Sequence, residues 1–147
     1  MNRNSYGCRT PDIRDYGSEP LIVNIDCFTK QNPYYRTALW TGKHLQVTLM
    51  SIPVHGDIGL EIHSDVDQFI RIEDGCALVM MGKNKTLLNY QQRVNSNYAV
   101  IIPAGTWHNI INIGNTPLKL YSIYAPPQHP FGTVHETKEA EEDAEKY

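Results

Sequence analysis

The sequence lacks the features that mark membrane-spanning, exported or nucleic-acid-binding proteins. Its 147 residues contain no apolar run near the roughly 18 residues of a membrane helix, and its N-terminal residues are polar and charged, unlike a signal peptide. Charges of both signs are scattered and give a formal net charge of −3, so no basic surface is offered to a nucleic acid or an anionic membrane. We therefore expect neither of these partners.

Cysteine is scarce as well. Cys8, Cys27 and Cys76 are odd in number, widely spaced and never in a CxxC pair, which argues against a disulfide framework and against a zinc ribbon. A reducing cytoplasm is the simplest location for such a chain, and we expect a cytoplasmic protein. The length suits one domain with a single core.

Sustained helical periodicity is missing before residue 135, whereas short strands and turns recur. Strand-like segments at 45–49, 69–72, 99–102 and 118–123 are separated by turn signals such as Asp74-Gly75. Many short strands divided by turns predict an all-β sandwich or barrel. Helices should be few and short.

The two ends of the chain differ from its middle. Residues 1–19 are polar and patternless and predict an N-terminal arm, which either packs on a neighbouring subunit or is a loose terminus. Residues 20–127 form the predicted β domain, and residues 128–147 form a proline-rich strap and an acidic C-terminal tail or short helix. The strap carries His129 and His135; a surface position is the favoured interpretation, and a position across the barrel mouth is the alternative.

Four polar residues are candidates for one shared site. Glu61 and His63 are two apart in a strand-like segment, so their side chains should leave the same face about 6.6 Å apart. Gln68 follows an acidic turn, from which a hairpin partner strand could return it to the same point. His108 stands much later, behind a Pro-x-Gly turn, and taken alone is more simply a packed or surface histidine.

The spacings taken together resemble the two motifs of the cupin superfamily. The core of the second motif is intact, and the first is matched in spacing, with Glu61 at the usual first histidine and Gln68 at the usual glutamate. His55 and Asn97 stand where the family has its opening glycines, and Asn tolerates a positive φ. The matched residues are Glu61, His63, Gln68 and Gly75 for the first motif and Pro103, Gly105, His108 and Asn112 for the second.

This resemblance implies an all-β cupin double-stranded β-helix, a jelly-roll barrel. It also implies one divalent metal ion held by Glu61, His63, Gln68 and His108. The set keeps one negative charge and exchanges a nitrogen for a harder oxygen, which favours zinc, manganese or iron over copper. The alternative is that Glu61 and Gln68 are ordinary polar barrel residues and the metal has been lost.

A small-molecule ligand would need further contacts. Arg36, Arg71 and Lys119 are the candidates for holding an anionic group such as a sugar phosphate, while a solvent-facing strand position is the favoured interpretation of each. Gln46 and Tyr121 could hydrogen-bond a sugar inside the barrel, with core packing or a buried polar network as the alternative.

Three segments, 36–42, 67–72 and 121–127, resemble small bacterial cupins of the mannose-6-phosphate isomerase-like group. That resemblance implies a metal-dependent aldose-ketose isomerase acting on a sugar or sugar phosphate. A non-catalytic cupin that binds a small polar ligand is the second hypothesis, and an iron-dependent dioxygenase is the third. Cupins of this size usually pair through their outer sheets, so we also expect a homodimer.

Overall fold

The computed structural model describes residues 11–145, which form two antiparallel sheets and two short helices. One sheet has six strands in the order β6-β3-β8-β2-β1-β9, and the other has three in the order β5-β4-β7. In chain order the elements are α1 (Ile25–Gln31), β1 (Arg36–Thr41), β2 (Gln46–Ile52), β3 (Asp67–Asp74), β4 (Ala77–Gly82), β5 (Tyr90–Val94), β6 (Ala99–Ile102), β7 (Trp107–Asn112), β8 (Leu118–Ala125), β9 (Val134–His135) and α2 (Lys138–Glu145).

The two sheets share one hydrophobic core, to which both contribute inward-facing side chains. Its members include Met50, Ile70 and Leu120 from the larger sheet and Val79 and Ile110 from the smaller one. Alternate residues of a strand face the same side, so these positions fix which face of each strand is internal. The predicted cupin double-stranded β-helix is confirmed, and the strand-like segments of the sequence fall within β2, β3, β6 and β8.

Strands β2, β3 and β8 each have polar inward-facing side chains along one half and apolar ones along the other half. In β3, Gln68 is followed by Ile70 and Ile72; β2 and β8 show the same change. The inner positions of β2 are Gln46, Thr48, Met50 and Ile52, and those of β8 are Leu118, Leu120, Ser122 and Tyr124. Tyr124 of β8 lies opposite Gln46 of β2 on one side and opposite Gln68 of β3 on the other. One end of the barrel interior is therefore apolar and the other polar.

Two residues stand at the positions where the cupin motifs have glycine, and both have positive φ. The φ angle is 69° at His55 and 75° at Asn97. The matched glycines Gly75 and Gly105 also have positive φ, at 100° and 79°. The turn geometry of the motifs is thus kept where the glycine itself is replaced.

Helix α1 was not predicted, because seven residues are too few for a clear helical period. Asn24 caps it by accepting a hydrogen bond from the Cys27 amide, and the helix packs against β2, β3 and β8. Cys27 is disulfide-bonded, although the cysteine pattern argued against a disulfide framework, while Cys76 is free and exposed. Cys8 lies outside the described residues.

The part of the predicted N-terminal arm that is described, residues 11–19, packs on its own chain. The Tyr16 amide donates to the Leu39 carbonyl at 2.9 Å, and Trp40 Nε1 donates to the Glu19 carbonyl at 2.7 Å. Residues 1–10 of the arm lie outside the described residues. Within residues 11–145, neither helix has the length or the apolar character needed to cross a membrane.

Candidate metal centre

Glu61 lies opposite His108 at the polar end of the barrel. The two residues exchange both backbone hydrogen bonds, at 3.0 and 2.9 Å. The segment around Glu61 was predicted to be a strand, which is wrong: its backbone pairs with β7 in two isolated bridges, at Asp57 and Glu61, and not in a continuous ladder. Four steps from Asp57 to Glu61 match three steps from Ile111 to His108, so one extra residue bulges out near Gly59, whose φ is +97°.

The predicted convergence of Glu61, His63 and His108 is confirmed. Glu61 Oε1 lies 3.2 Å from His108 Nε2 and 3.3 Å from His63 Nε2, and one ligand atom from each residue lies within 4.8 Å of the other two. The backbone of His63 is held in place by the second motif, since its carbonyl accepts a hydrogen bond of 2.8 Å from the Gly105 amide. The two motifs thus meet at one point.

The tautomer of His108 is set by the hydrogen bond that its Nδ1 atom makes. Nδ1 lies 3.0 Å from the Thr106 carbonyl, which can only accept a hydrogen bond, so Nδ1 carries the proton. In the neutral ring the lone pair of Nε2 then faces the Glu61 carboxylate oxygen, which is also an acceptor. A cation between these atoms would satisfy both of them.

Three further observations fit a divalent cation here. First-row metals bind nitrogen and oxygen at about 2.0–2.2 Å, so neighbouring ligand atoms are typically separated by roughly 3.0–3.5 Å, and the spacings of Glu61 to the two imidazoles fall in this range. His63 Nε2 is buried and makes no regular hydrogen bond. Gln68 Oε1 is likewise buried without a partner, while its Nε2 donates to Ser122 at 3.3 Å.

The Glu61 carboxylate is held in its charged form. Burial raises the pKa of Glu61, but hydrogen bonds from His108 and His63, together with the positive charge of these rings when they are protonated, outweigh burial and hold the pKa well below its usual value. A carboxylate that stays ionised at any ordinary pH suits a metal ligand.

A cavity of about 570 Å³ opens above these residues. Its floor includes Glu61 and His63, and its walls come from the strap and from the last residues of α2, including His129, His135 and Glu145. The strap therefore lies across the barrel mouth, which was the less favoured of the two sequence interpretations.

Gln46, predicted as a ligand-binding residue, holds the strap. Its amide nitrogen donates to the His129 carbonyl at 2.9 Å, and its amide oxygen accepts from the backbone amides of Gln128 and His129 at 3.2 and 2.9 Å. The side chain is fully buried. Gln46 therefore positions the wall of the cavity through its contacts with the strap backbone.

Arg36 and Tyr124 extend the polar interior beyond the cluster of Glu61, His63 and His108. Arg36 is 2% exposed and donates to the Tyr124 hydroxyl at 2.9 Å, to Thr48 at 3.2 Å and to Glu141. The Tyr124 ring contacts His63 edge-on, with centroids 5.9 Å apart. The structure thus brings Arg36 close to the candidate metal ligands through a single aromatic side chain.

Arg71 and Tyr121, the other two predicted ligand contacts, are not brought to this site. Strand alternation puts Arg71 on the face opposite Gln68, where it pairs with Glu73 and Asn97. Tyr121 lies on β8, directly opposite Arg71 of β3 and on the same outer face. The period of two in each strand separates them from the interior.

A family comparison agrees with this geometry. The model of the Cupin domain matches residues 48–124, just over half of the chain. The chain belongs to the cupin family. The match spans all four predicted metal ligands and both motifs, while it leaves out Arg36, the strap and α2.

This cupin is similar to two curated proteins and to a solved crystal structure. YrkC of Bacillus subtilis (strain 168), itself uncharacterized, is 65% identical over 136 residues, which is 92% of this chain and 73% of YrkC. Protein L612 of Acanthamoeba polyphaga mimivirus, also uncharacterized, is 47% identical over 80% of this chain and 72% of its own length. The crystal structure of BH2720 from Bacillus halodurans has a TM-score of 0.89 and 60% identity, covering 89% of this chain and 99% of that one.

The sequence analysis missed Tyr124 of this cupin's site and favoured a surface position for His129. Tyr124 was passed over, although it shares the inner face of β8 with Ser122 and the period of two could have found it. His129 was weighed and set aside as a surface residue; its Nε2 is buried without a partner. Burial, followed by the charge of Arg36, lowers the pKa of His129 to about 3, so its imidazole is neutral.

Proposed function

We propose that this cupin holds a divalent metal ion with Glu61, His63 and His108, completed by the amide oxygen of Gln68, and binds a small oxygen-rich ligand there. The observation that carries the proposal is one Glu61 oxygen facing two imidazole nitrogens at 3.2 and 3.3 Å. The cavity of about 570 Å³ above them is large enough for a sugar-sized ligand.

The chemistry of the donors supports zinc, manganese or iron. Two imidazoles, one carboxylate and one amide oxygen form a mixed nitrogen and oxygen set without sulfur. A metal ion bound there supplies a Lewis acid that polarises a carbonyl or hydroxyl oxygen of the ligand. The chain itself orients the ligand and shields it from water through the strap, which Gln46 ties to the barrel.

Elemental analysis of protein purified without a chelating tag tests the proposal. We expect close to one zinc, manganese or iron per chain, and its loss in the Glu61→Gln variant. Glu142→Gln is the matched control, since Glu142 is exposed on α2 and should leave the metal content unchanged. A protein that contains no divalent metal, and gains no thermal stability when zinc, manganese or ferrous iron is added, would contradict the proposal.

One observation favours an aldose-ketose isomerase as the reaction. An isomerase needs a side chain that moves a proton between two carbons, and His129 has an unpartnered Nε2 at the wall of the cavity. An anionic ligand group beside this imidazole would raise its low pKa toward the working pH. In the proposed isomerase reaction, Glu61, His63 and His108 hold the metal ion, and His129 moves the proton.

Assay of the metal-loaded protein against a panel of phosphorylated aldoses tests the isomerase. We expect conversion of one of them to its ketose, and a fall of at least about 100-fold in kcat for His129→Gln, the low end of what general acid-base catalysis contributes. Ligand-dependent thermal stabilisation without turnover would assign a binding role instead. Oxygen uptake that depends on added ferrous iron would assign oxygen chemistry.

A further inference from the structure

Helix α2 is attached to the barrel by charge rather than by apolar contact. Its sequence, KEAEEDAE, has no large apolar side chain, and Glu141 is its one buried residue. Its anchors include two ion pairs, one between Glu141 and Arg36 and a second between Lys138 and Asp57. An element with so few buried apolar contacts opens locally at a low cost in free energy, so the loss of an ion pair weakens its attachment.

The partner of Glu141 is unusual for a surface helix. Arg36 is on the inner face of β1 and is 2% exposed, in the polar half of the barrel. Its guanidinium also binds the hydroxyls of Thr48 and Tyr124. Taking such a charge out of water is costly unless an anion meets it, so Arg36 must always have an anionic partner.

Arg36 and the candidate metal ligands belong to one polar interior. The guanidinium carbon of Arg36 lies 6.0 Å from the centre of the Tyr124 ring, and the centre of the His63 ring lies 5.9 Å from the centre of the same Tyr124 ring. The end of α2 also lines the cavity above Glu61 and His63, through Ala144 and Glu145. Release of α2 would therefore open the cavity toward Arg36.

We propose that Arg36 is the anion subsite of this cavity, that Glu141 fills it in the absence of ligand, and that a small ligand with a carboxylate group displaces Glu141 and releases α2. The inference rests on the proposed function in one respect: the remaining oxygens of the ligand face the metal held by Glu61, His63 and His108. The exchange swaps one carboxylate for another, so the charge around Arg36 is unchanged.

The pocket around Arg36 favours a carboxylate over a phosphate. The group it binds in this structure is the planar, singly charged carboxylate of Glu141. The remaining polar neighbours of Arg36, Thr48 and Tyr124, are neutral hydroxyls, and no second cation is among the partners of the guanidinium within residues 11–145. A doubly charged phosphate would therefore leave one charge uncompensated in a buried site.

The central test removes the internal carboxylate. In metal-free Glu141→Ala protein, sodium acetate should raise the melting temperature, and the acetate concentration that gives a set shift should be at least about tenfold lower than in the wild type, because no internal group competes. Sodium chloride at matched ionic strength should have no such effect. Glu142→Ala, the exposed neighbour, should respond like the wild type.

Hydrogen exchange on the wild-type protein tests the release of α2. Acetate should speed the exchange of the amides of residues 138–145 at least about tenfold and leave the core strands unchanged. Lys138→Met removes the second anchor without touching Arg36, so it should lower the acetate concentration needed for this change. It should do so less than Glu141→Ala does.

The results separate this inference from the proposed function. An equal acetate response in wild type and Glu141→Ala, or α2 amides that stay protected at saturating acetate, would overturn the subsite even if the metal content is stoichiometric. A stronger response to inorganic phosphate than to acetate would also overturn it, since the subsite would then not be selective for carboxylates. Absence of metal with the expected acetate response would instead remove the proposed metal function and keep the anion subsite.

Discussion

The two halves of the barrel interior are built on the same three strands and differ in almost every physical respect. At the apolar end, Met50, Ile70 and Leu120 are completely buried and belong to the hydrophobic core. At the polar end, Gln68 and Tyr124 continue the same strands among hydroxyls, imidazoles and charges. A change of side chains along β2, β3 and β8 therefore divides one barrel into a stabilising half and a chemical half.

The two halves differ in how the burial of their side chains affects the free energy of folding. Apolar burial stabilises the fold by about 25 cal/mol for each Å² removed from water, whereas a buried polar group costs free energy unless it finds a partner. Most polar groups of the chemical half do find one. Within residues 11–145, the exceptions in that half are His63 Nε2, Gln68 Oε1 and His129 Nε2, and all three belong to residues of the candidate site.

The largest expected effect comes from the apolar half. Leu120→Ala should lower the free energy of unfolding by about 2–5 kcal/mol, because a fully buried side chain is replaced by a cavity. Chemical denaturation measures this. The folded fraction should still bind one metal ion, and loss of the metal from folded Leu120→Ala protein would show that the two halves are not independent.

The converse change in the polar half should lower metal affinity by roughly 100-fold or more. Glu61→Gln keeps the size of the side chain but removes the only carboxylate of the set, and even residues that merely support a ligand contribute about 10–100-fold. Titration with zinc or manganese under a competing chelator measures the affinity. An affinity equal to that of the wild type would place the metal elsewhere.

A smaller effect is expected at the fourth proposed ligand. Gln68→Leu removes the buried oxygen that lacks a partner and should weaken metal binding about tenfold. The free energy of unfolding of the metal-free protein should change little, because the lost hydrogen bond to Ser122 is offset by the removal of that buried oxygen. Unchanged metal affinity would show that Gln68 is only a polar wall residue.

The smallest effect concerns pH. The pKa of His129 is 6.5 in its reference state and about 3 in the folded chain, so between these values the unfolded chain binds more protons and stability falls as the pH falls. Between pH 6.5 and 5.5 the wild type should lose about 1 kcal/mol more than His129→Gln does. Denaturation curves at both pH values measure this difference. Parallel losses in both proteins would mean that His129 titrates normally.

Several elements could be predicted from local sequence. The strands around 69–72 and 99–102 followed from their composition, and His63 and His108 followed from motif spacing. Helix α1 escaped because its seven residues are too short for a period to show. The segment of Glu61 was taken for a strand because a bulge at Gly59 leaves no mark in the alternation of apolar and polar residues.

The least accurate predictions concerned which face of its strand a residue occupies. Tyr121 was placed inside the barrel in both of its interpretations and lies on the outer face of the sheet, opposite Arg71, for which a solvent-facing position was the favoured interpretation. The buried pair of Arg36 and Glu141 could not be foreseen. Its members are 105 residues apart, and Glu141 stands in an acidic run that is ordinarily a solvated surface.

The sequence alone determined the class of fold, the motif turns and the pairing of His63 with His108 at one site, because turn residues, strand alternation and motif spacing act over short distances. Only the tertiary structure decided that the strap closes the mouth, that Gln46 serves the strap and that Glu141 meets Arg36 inside the barrel. These contacts join segments distant in sequence, and their energy depends on burial and on the position of charges, which emerge only when the sheets have closed around them.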